Sequence, residues 1–202
     1  MWRQTRGSRM AHYPDELSLG EARRVYFDAS GFGDGGYDAA WVKLQAGPVP
    51  IYLPNTSGRV RSVRLHDLHH VLTGYETTWT GESEIGAWEI GAGCADHWAA
   101  WLLNFNAIAI GLAIAPTATY RAFSRGRQTR SLYDGEFDEA LLAERVGAVR
   151  RRLLLDGDYA KRKEDWVAFA VVSVLGAATL FATTTVALAP IVGLVAWVFW
   201  AD

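Results

Sequence analysis

The carboxyl-terminal stretch from Trp166 to Ala201 constrains the fold most, because it contains no charged residue. As a single helix it would be about 54 Å long at 1.5 Å per residue, whereas the hydrocarbon core of a bilayer is about 30 Å thick. A soluble domain of ordinary size rarely has a core that needs an uncharged segment of this length. The stretch therefore predicts a membrane segment, and a buried core helix is the less favoured alternative.

Pro190 leaves two arrangements of this segment open, because proline discourages a single unbroken helix. In the first arrangement, residues 166–188 cross the membrane once and residues 190–201 lie at the far interface. In the second, a turn within the threonine run 183–185 produces a short helical hairpin. The sequence by itself does not choose between a single span and a hairpin.

Basic residues before the segment predict its orientation. They are Arg150, Arg151, Arg152, Lys161, Arg162 and Lys163. No basic residue follows the segment, so the positive-inside rule places the main domain on the cytoplasmic side. The expected location is a membrane, with the main domain on its cytoplasmic face, and we expect this to be a bacterial inner membrane.

The composition of the chain excludes several classes of protein. Its 202 residues contain 20 Lys and Arg against 22 Asp and Glu, so a nucleic acid is not expected as a partner. Cys94 is the single cysteine, which excludes both an internal disulfide framework and a cysteine-rich zinc module.

Helical periodicity dominates the part of the chain that precedes the apolar segment, and it predicts an all-α domain. A short helix is expected over residues 37–44, a brief extended piece over 51–53, and one amphipathic helix over 138–155. The chain is expected to have four parts: an N-terminal arm (1–14), a helical metal-binding domain (15–155), a basic juxtamembrane linker (156–165) and the membrane segment (166–201).

A histidine cluster carries the clearest chemical signal. On a helix, His66 and His70 share one face, and Asp67 lies three residues before His70. Gly74 is expected to end this helix, so that the chain turns back and brings Glu82, in the first turn of the next helix, to the same point. Two imidazoles and two carboxylates form a mixed nitrogen and oxygen site for which zinc, iron and manganese are all chemically suitable.

The spacing of these residues resembles the H-D-x-x-H-x11-E signature of the Coq4 family, which acts in ubiquinone biosynthesis. The motif G-E-x-x-x-x-x-W-E, which includes Glu82, is also similar to that family. The resemblance implies a largely helical protein at the membrane that binds a divalent metal, with zinc as the leading candidate. It implies His66, Asp67, His70 and Glu82 as the metal ligands.

The same resemblance implies a function. The expected activity is replacement of the C1 carboxyl group of a prenylated benzoate-type quinone precursor by a hydroxyl group, and the expected partners are that precursor, membrane lipid and other quinone-biosynthesis proteins. The alternative is a non-catalytic, membrane-anchored prenyl-lipid-binding or scaffold protein with a structural metal. The sequence assigns no catalytic residue beyond the metal ligands, and it leaves a homodimer open.

An isoprenoid substrate would need an apolar groove, and the uncharged stretch 98–115 is the segment best suited to form its wall. The predicted lipid contacts are Trp88, Trp101, Leu102, Phe105, Ile108 and Leu112. Arg64 is a candidate for binding an anionic head group. Helix geometry turns His69 away from His66, so His69 is expected at the surface, and Glu89 is expected to be solvated.

Overall fold

The computed structural model describes residues 12–46, 49–159, 162 and 164–200. Helices account for most of these residues, which confirms the all-α class. Most of the predicted N-terminal arm lies outside the described residues, as do Lys161 and Lys163 of the basic flank.

The described elements follow one another in a simple order. They are α1 (Leu19–Ser30), β1 (Trp41–Ala46), β2 (Val49–Pro54), α2 (Ser57–Thr73), α3 (Trp79–Ala92), α4 (Trp98–Ile114), α5 (Pro116–Gly126), α6 (Glu139–Ala143), α7 (Val146–Arg152) and α8 (Asp165–Trp200).

The predicted helix over residues 37–44 is wrong, because the chain forms a β-hairpin there. Strands β1 and β2 pair antiparallel, in a register that matches Trp41 with Pro54 and Ala46 with Val49. Proline recurs in and before β2, so this segment cannot form a helix, and its remaining backbone groups need a partner strand. That partner is the segment directly before it, which takes the extended conformation instead of a helical one.

The predicted amphipathic helix over 138–155 is divided into α6 and α7. The chain crosses the start of α1 at the break, where the Leu19 amide donates to the Glu144 carbonyl (2.8 Å) and the Val146 amide donates to the Leu17 carbonyl (2.9 Å). These two bonds hold the backbone extended between the helices, so tertiary contacts override the local helical pattern.

Capping residues define the ends of α2, which carries the histidine cluster, and the start of α3, which carries Glu82. The Thr56 side chain accepts a hydrogen bond from the Arg59 amide at the start of α2, and Thr78 does the same for Gly81 at the start of α3. Gly74 ends α2 with φ of 79°, a left-handed conformation that favours glycine. The predicted helix stop at Gly74 is therefore confirmed, and α3 runs back alongside α2.

Helix α3 lies at the centre of the domain, between α4 and α5. Its backbone passes so close to α5 that a Cβ atom at Gly126 would lie 2.2 Å from the Trp88 carbonyl oxygen. Leu68, Ile85 and Ile108 form part of the fully buried core around this contact. The close approach fixes α3, and with it every side chain that α3 presents to α2 and α4.

Helix α8 is continuous through residues 183–185 and contains Pro190. The hairpin alternative is therefore wrong, and the apolar segment is a single helix. Its part from Asp165 to Pro190 has a mean hydropathy of 2.0 and is long enough to cross a membrane, with 11% of the most apolar window buried.

The start of α8 is bound firmly to the domain. Asp165 is completely buried and accepts hydrogen bonds from the Ser124 hydroxyl (2.5 Å) and from Arg127 Nε (2.9 Å). Four residues later, the Phe169 ring belongs to the hydrophobic core. The apolar segment therefore begins as part of the folded domain.

Candidate metal centre

Three of the four predicted metal ligands come together between α2 and the first turn of α3. His66 Nε2 and His70 Nε2 are 3.2 Å apart, and the two Glu82 carboxylate oxygens lie 3.6 Å and 3.5 Å from them, respectively. Ligand atoms bound at about 2.0–2.1 Å to a tetrahedral zinc ion lie about 3.3–3.4 Å from one another. The group formed by His66, His70 and Glu82 therefore has the dimensions of a metal site.

The hydrogen bonds of the two histidines determine which ring nitrogen faces this point. His70 Nδ1 lies 2.8 Å from the Tyr75 carbonyl oxygen and His66 Nδ1 lies 2.9 Å from Glu89 Oε1. Both oxygens are acceptors, so both Nδ1 atoms carry hydrogen and donate. When both rings are neutral, the two Nε2 lone pairs face one another across 3.2 Å, an arrangement that a shared cation stabilises.

Asp67 does not belong to the group of atoms that the structure brings together. Its Oδ2 atom accepts a 2.5 Å hydrogen bond from the Tyr37 hydroxyl, and the side chain is buried. Burial raises the pKa of the Asp67 carboxyl above its ordinary value, and the nearby His66 opposes this only in part. Ligation of a metal by Asp67 stays a prediction.

The sequence analysis missed a buried carboxylate that organises the centre. Glu89 has no exposed surface, so the expectation that it is solvated is wrong. Its carboxylate accepts hydrogen bonds from four donors: His66 Nδ1 (2.9 Å), His69 Nδ1 (2.7 Å), Asn104 Nδ2 (2.5 Å) and the Tyr133 hydroxyl (2.9 Å). Glu82 and Glu89 are about two helical turns apart and share a face of α3, which is the signal that could have located Glu89.

His69 is also buried, so the expected surface role is wrong. Its Nε2 accepts a 2.9 Å hydrogen bond from the Leu132 amide, which leaves Nδ1 to donate to Glu89. Burial lowers the pKa of His69 and outweighs the effect of the Glu89 carboxylate, which raises it. Helix geometry does turn this ring away from the metal group, but the space it enters is filled by the Trp88 and Tyr133 rings instead of water.

The acidic groups make the centre strongly attractive to cations. Burial raises the pKa of Glu82, but hydrogen bonds from His66 and His70 outweigh this and hold it below its ordinary value. The pKa of Glu89 is lowered in the same way, because its interactions with His66 and His69 outweigh burial. Burial lowers the pKa of His66, yet Glu89 and Glu82 together raise it well above 6.5, so a metal that binds here would have to displace a proton from this ring.

Two arginines beside the centre have no acidic partner among the described residues. The Arg64 guanidinium lies 5.1 Å from the centre of the Tyr37 ring and 5.5 Å from that of Phe137, and the Arg23 guanidinium lies 5.2 Å from the Phe137 ring. The Nε atoms of both arginines are buried without a hydrogen-bond partner. Tyr37 joins this basic pair to the metal region through its bond to Asp67.

The predicted lipid contacts divide between core and surface. Trp88 and Ile108 are completely buried, and Trp88 Nε1 donates to the Thr129 hydroxyl (2.9 Å). Three others are partly buried against the core: Trp101, Phe105 and Leu112. Leu102 is exposed on the outer side of α4. Contact of these residues with a lipid stays a prediction.

Comparison with known proteins adds no further constraint: no family model, no curated protein and no solved structure matches the chain.

Proposed function

We propose that the chain is a Coq4-like protein of quinone biosynthesis that acts on a prenylated benzoate-type precursor at the membrane: the C1 carboxyl group leaves as CO2 and a hydroxyl group takes its place, with an external two-electron oxidant supplying the oxidising equivalents. The observation that carries this proposal is the His66, His70 and Glu82 group, with both Nε2 atoms directed at one point. A divalent metal held there, zinc above all, would act as a Lewis acid on the oxygens of the substrate.

The exposure of the group favours a catalytic site over a purely structural one. Structural zinc sites are closed by four protein ligands, whereas catalytic sites keep a position for water or substrate. Three protein side chains form this group, and the Glu82 side chain is 40% exposed. A substrate oxygen can therefore reach the centre from the Glu82 side without displacing a buried residue.

The surrounding residues suit an acidic aromatic substrate. Arg23 and Arg64 provide positive charge without an acidic partner among the described residues, and a carboxylate is the group that a guanidinium binds best. Glu89 orients His66 through the Nδ1 hydrogen bond, which keeps the Nε2 lone pair on the metal side. In this proposal, the two arginines neutralise the charge of the substrate carboxylate, and Glu89 orients the His66 ring toward the metal.

Membrane attachment through α8 completes the proposal, because a prenylated substrate is confined to the bilayer. The basic flank before α8 supports a position on the cytoplasmic face, where anionic head groups attract arginine and lysine. Contacts with other quinone-biosynthesis proteins and a homodimer belong to the same proposal, on the strength of the family resemblance alone.

The second candidate function is a non-catalytic prenyl-lipid-binding or scaffold protein in which the metal only joins α2 to α3. The observation that favours it is the burial of His70, whose side chain is 1% exposed, within a network that already ties α2 to α3 and α4. In that case, metal removal would lower the free energy of unfolding without abolishing a reaction.

The first experiment is elemental analysis of the purified full chain, of His70→Ala and of His12→Ala. His12 is exposed and lies outside the group, so His12→Ala is the matched control. We expect about one metal ion per chain in the unsubstituted protein and in the control, and a loss of metal in His70→Ala. Equal metal content in all three proteins would refute the metal centre.

The second experiment distinguishes the two candidate functions. A strain that lacks the chain is complemented with the unsubstituted protein or with Glu82→Gln, and its quinone and precursor contents are measured. Accumulation of a carboxylated prenyl precursor in the Glu82→Gln strain, with normal protein abundance, supports the enzyme. Normal quinone content with metal-free Glu82→Gln protein would leave the structural role as the better account.

A further inference from the structure

Helices α4 and α8 together present an uncharged surface, which we call the α4–α8 face. Neither Trp98–Ile114 nor the stretch from Trp166 to Trp200 contains a charged residue. The large apolar side chains exposed on these two helices include Trp98, Leu102, Ile114, Trp166, Val167, Val171, Val174, Leu175 and Phe181. An exposed apolar surface of this extent marks an interaction site.

The domain stays in contact with α8 over a long distance. Asp165 pairs with α5 at the first residue of the helix, and Phe169 packs against the Phe123 ring. Further along, a Cβ atom at Gly176 would lie 2.8 Å from a backbone oxygen of α4, and the Thr183 hydroxyl donates to Asn106 Oδ1 (2.9 Å). From residue 165 to residue 183 the helix advances about 27 Å.

This length argues against a perpendicular crossing by the docked part of α8. The hydrocarbon core of a bilayer is about 30 Å thick, so a perpendicular α8 would hold the domain at hydrocarbon depth along nearly all of that distance. The surface of the domain carries exposed ion pairs, among them Arg61 with Asp96 and Arg152 with Glu144. Charged groups inside a bilayer cost several kcal/mol each, and among the residues that the structure describes only α4 and α8 are helices apolar enough to offset that cost.

We propose that residues 165–183 of α8 lie in the plane of the membrane, docked on α4, and that the α4–α8 face is the surface that enters the lipid interface. The partner is a phospholipid bilayer, because the exposed side chains are large and uncharged over two adjacent helices and continue into the apolar end of α8. The inference rests on the proposed membrane attachment, and it specifies how that attachment is made. The metal-binding domain then lies flat on the membrane instead of above a stalk.

Depth measurement in the full chain tests the arrangement. Single cysteines replace Val167, Val174 and Phe181 along the exposed side of α8, and each carries a fluorophore that brominated acyl chains quench according to depth. The vesicles contain phosphatidylcholine and phosphatidylglycerol. If α8 lies in the plane of the membrane, all three probes are at the same shallow depth of about 5–10 Å below the head groups. In a crossing helix, the first and last probes would differ in depth by about 21 Å.

Two controls make the result unambiguous. The unsubstituted chain controls for labelling of Cys94, which is buried. Asp28→Cys, on the exposed side of α1, reports a position that stays in water. Equal shallow depths along α8 support the proposal, and a steady change of depth overturns it while leaving membrane attachment intact. Failure of the unlabelled chain to float with the vesicles would overturn the membrane attachment itself, and this arrangement with it.

Discussion

Two regions of the molecule invert the usual distribution of polar and apolar groups, and they do so in opposite senses. Around Glu89, a carboxylate and two histidines are buried in the centre of the domain, where apolar side chains are the rule. On the α4–α8 face, valine, leucine, phenylalanine and tryptophan side chains are exposed. The first inversion is stable because each donor around Glu89 has an acceptor, and the second leaves apolar surface for a partner, which we propose to be a lipid bilayer.

The comparison shows two ways in which a fold accommodates an unfavourable arrangement, one for a buried charge and one for an exposed apolar surface. In the Glu89 region, donors and acceptors match so closely that the buried charge is distributed over four hydrogen bonds. On the α4–α8 face, Gly176 lets α8 pack closely against α4, while valine, phenylalanine and tryptophan side chains on α8 remain exposed. Two substitutions and one pH titration test the two regions.

The largest effect is expected from Glu89→Ala. Removal of the carboxylate leaves His66, His69, Asn104 and Tyr133 without their acceptor inside the domain, and breaking a buried charged pair costs about 3–5 kcal/mol. Urea denaturation of the full chain in detergent measures the free energy of unfolding. The control is Glu16→Ala at an exposed position, which is expected to change this value by less than about 0.5 kcal/mol. A loss in Glu89→Ala no greater than in the control would show that the network does not stabilise the fold.

A smaller loss of stability is expected from Gly176→Leu on the packed side of α8. The new Cβ atom would lie 2.8 Å from the Phe105 carbonyl oxygen, so α8 must move away from α4. Such overpacking costs about 1–3 kcal/mol in the free energy of unfolding. Ala177→Leu places the same side chain on the exposed side of α8, one carbon less of added bulk, and is the matched control. The docked arrangement is wrong if both substitutions have the same effect on the unfolding curve.

The smallest expected effect is the dependence of metal affinity on pH. A metal must displace the proton from His66, whose pKa the neighbouring carboxylates raise well above 6.5 despite burial. Protons therefore compete with the metal already above pH 6.5, and the affinity falls as the pH falls, by about tenfold per unit for one displaced proton. Competition with a chelating dye measures the apparent Kd between about pH 6 and about pH 8.

The control for this titration is His66→Gln, which removes the titrating group. We expect weaker binding with a flatter dependence on pH. A constant Kd for the unsubstituted protein across the same range would argue against His66 as a ligand.

Much of the site could be predicted because its signals are local. The interval between His66 and His70 fixes a shared helix face, and Gly74 is suited to the left-handed conformation that ends α2. Glu82 follows at the start of the next helix, so the turn brings it back to the histidines. The same local logic identified α8 as one uncharged segment, but it did not show whether the threonine run turns the chain.

The residues whose burial was predicted wrongly are those whose surroundings come from distant parts of the chain. His69 and Glu89 look like ordinary polar residues of surface helices, and their burial follows from the segment 129–133 and from Asn104 on α4. The β-hairpin was missed for the same reason, since strand formation in 41–46 depends on pairing with residues that follow it.

The sequence by itself determined the helical class, the end of α2 at Gly74, the spacing of His66, His70 and Glu82, and the uncharged character of the last helix. These follow from periodicity, capping and composition, which act within a few residues. Only the tertiary structure decided that Glu89 orients the His66 ring, that Asp67 pairs with Tyr37, and that α8 docks along α4 before its apolar end. Each of these depends on another part of the chain, because a buried charge is stable only beside a hydrogen-bond partner and a packed helix only against a matching surface.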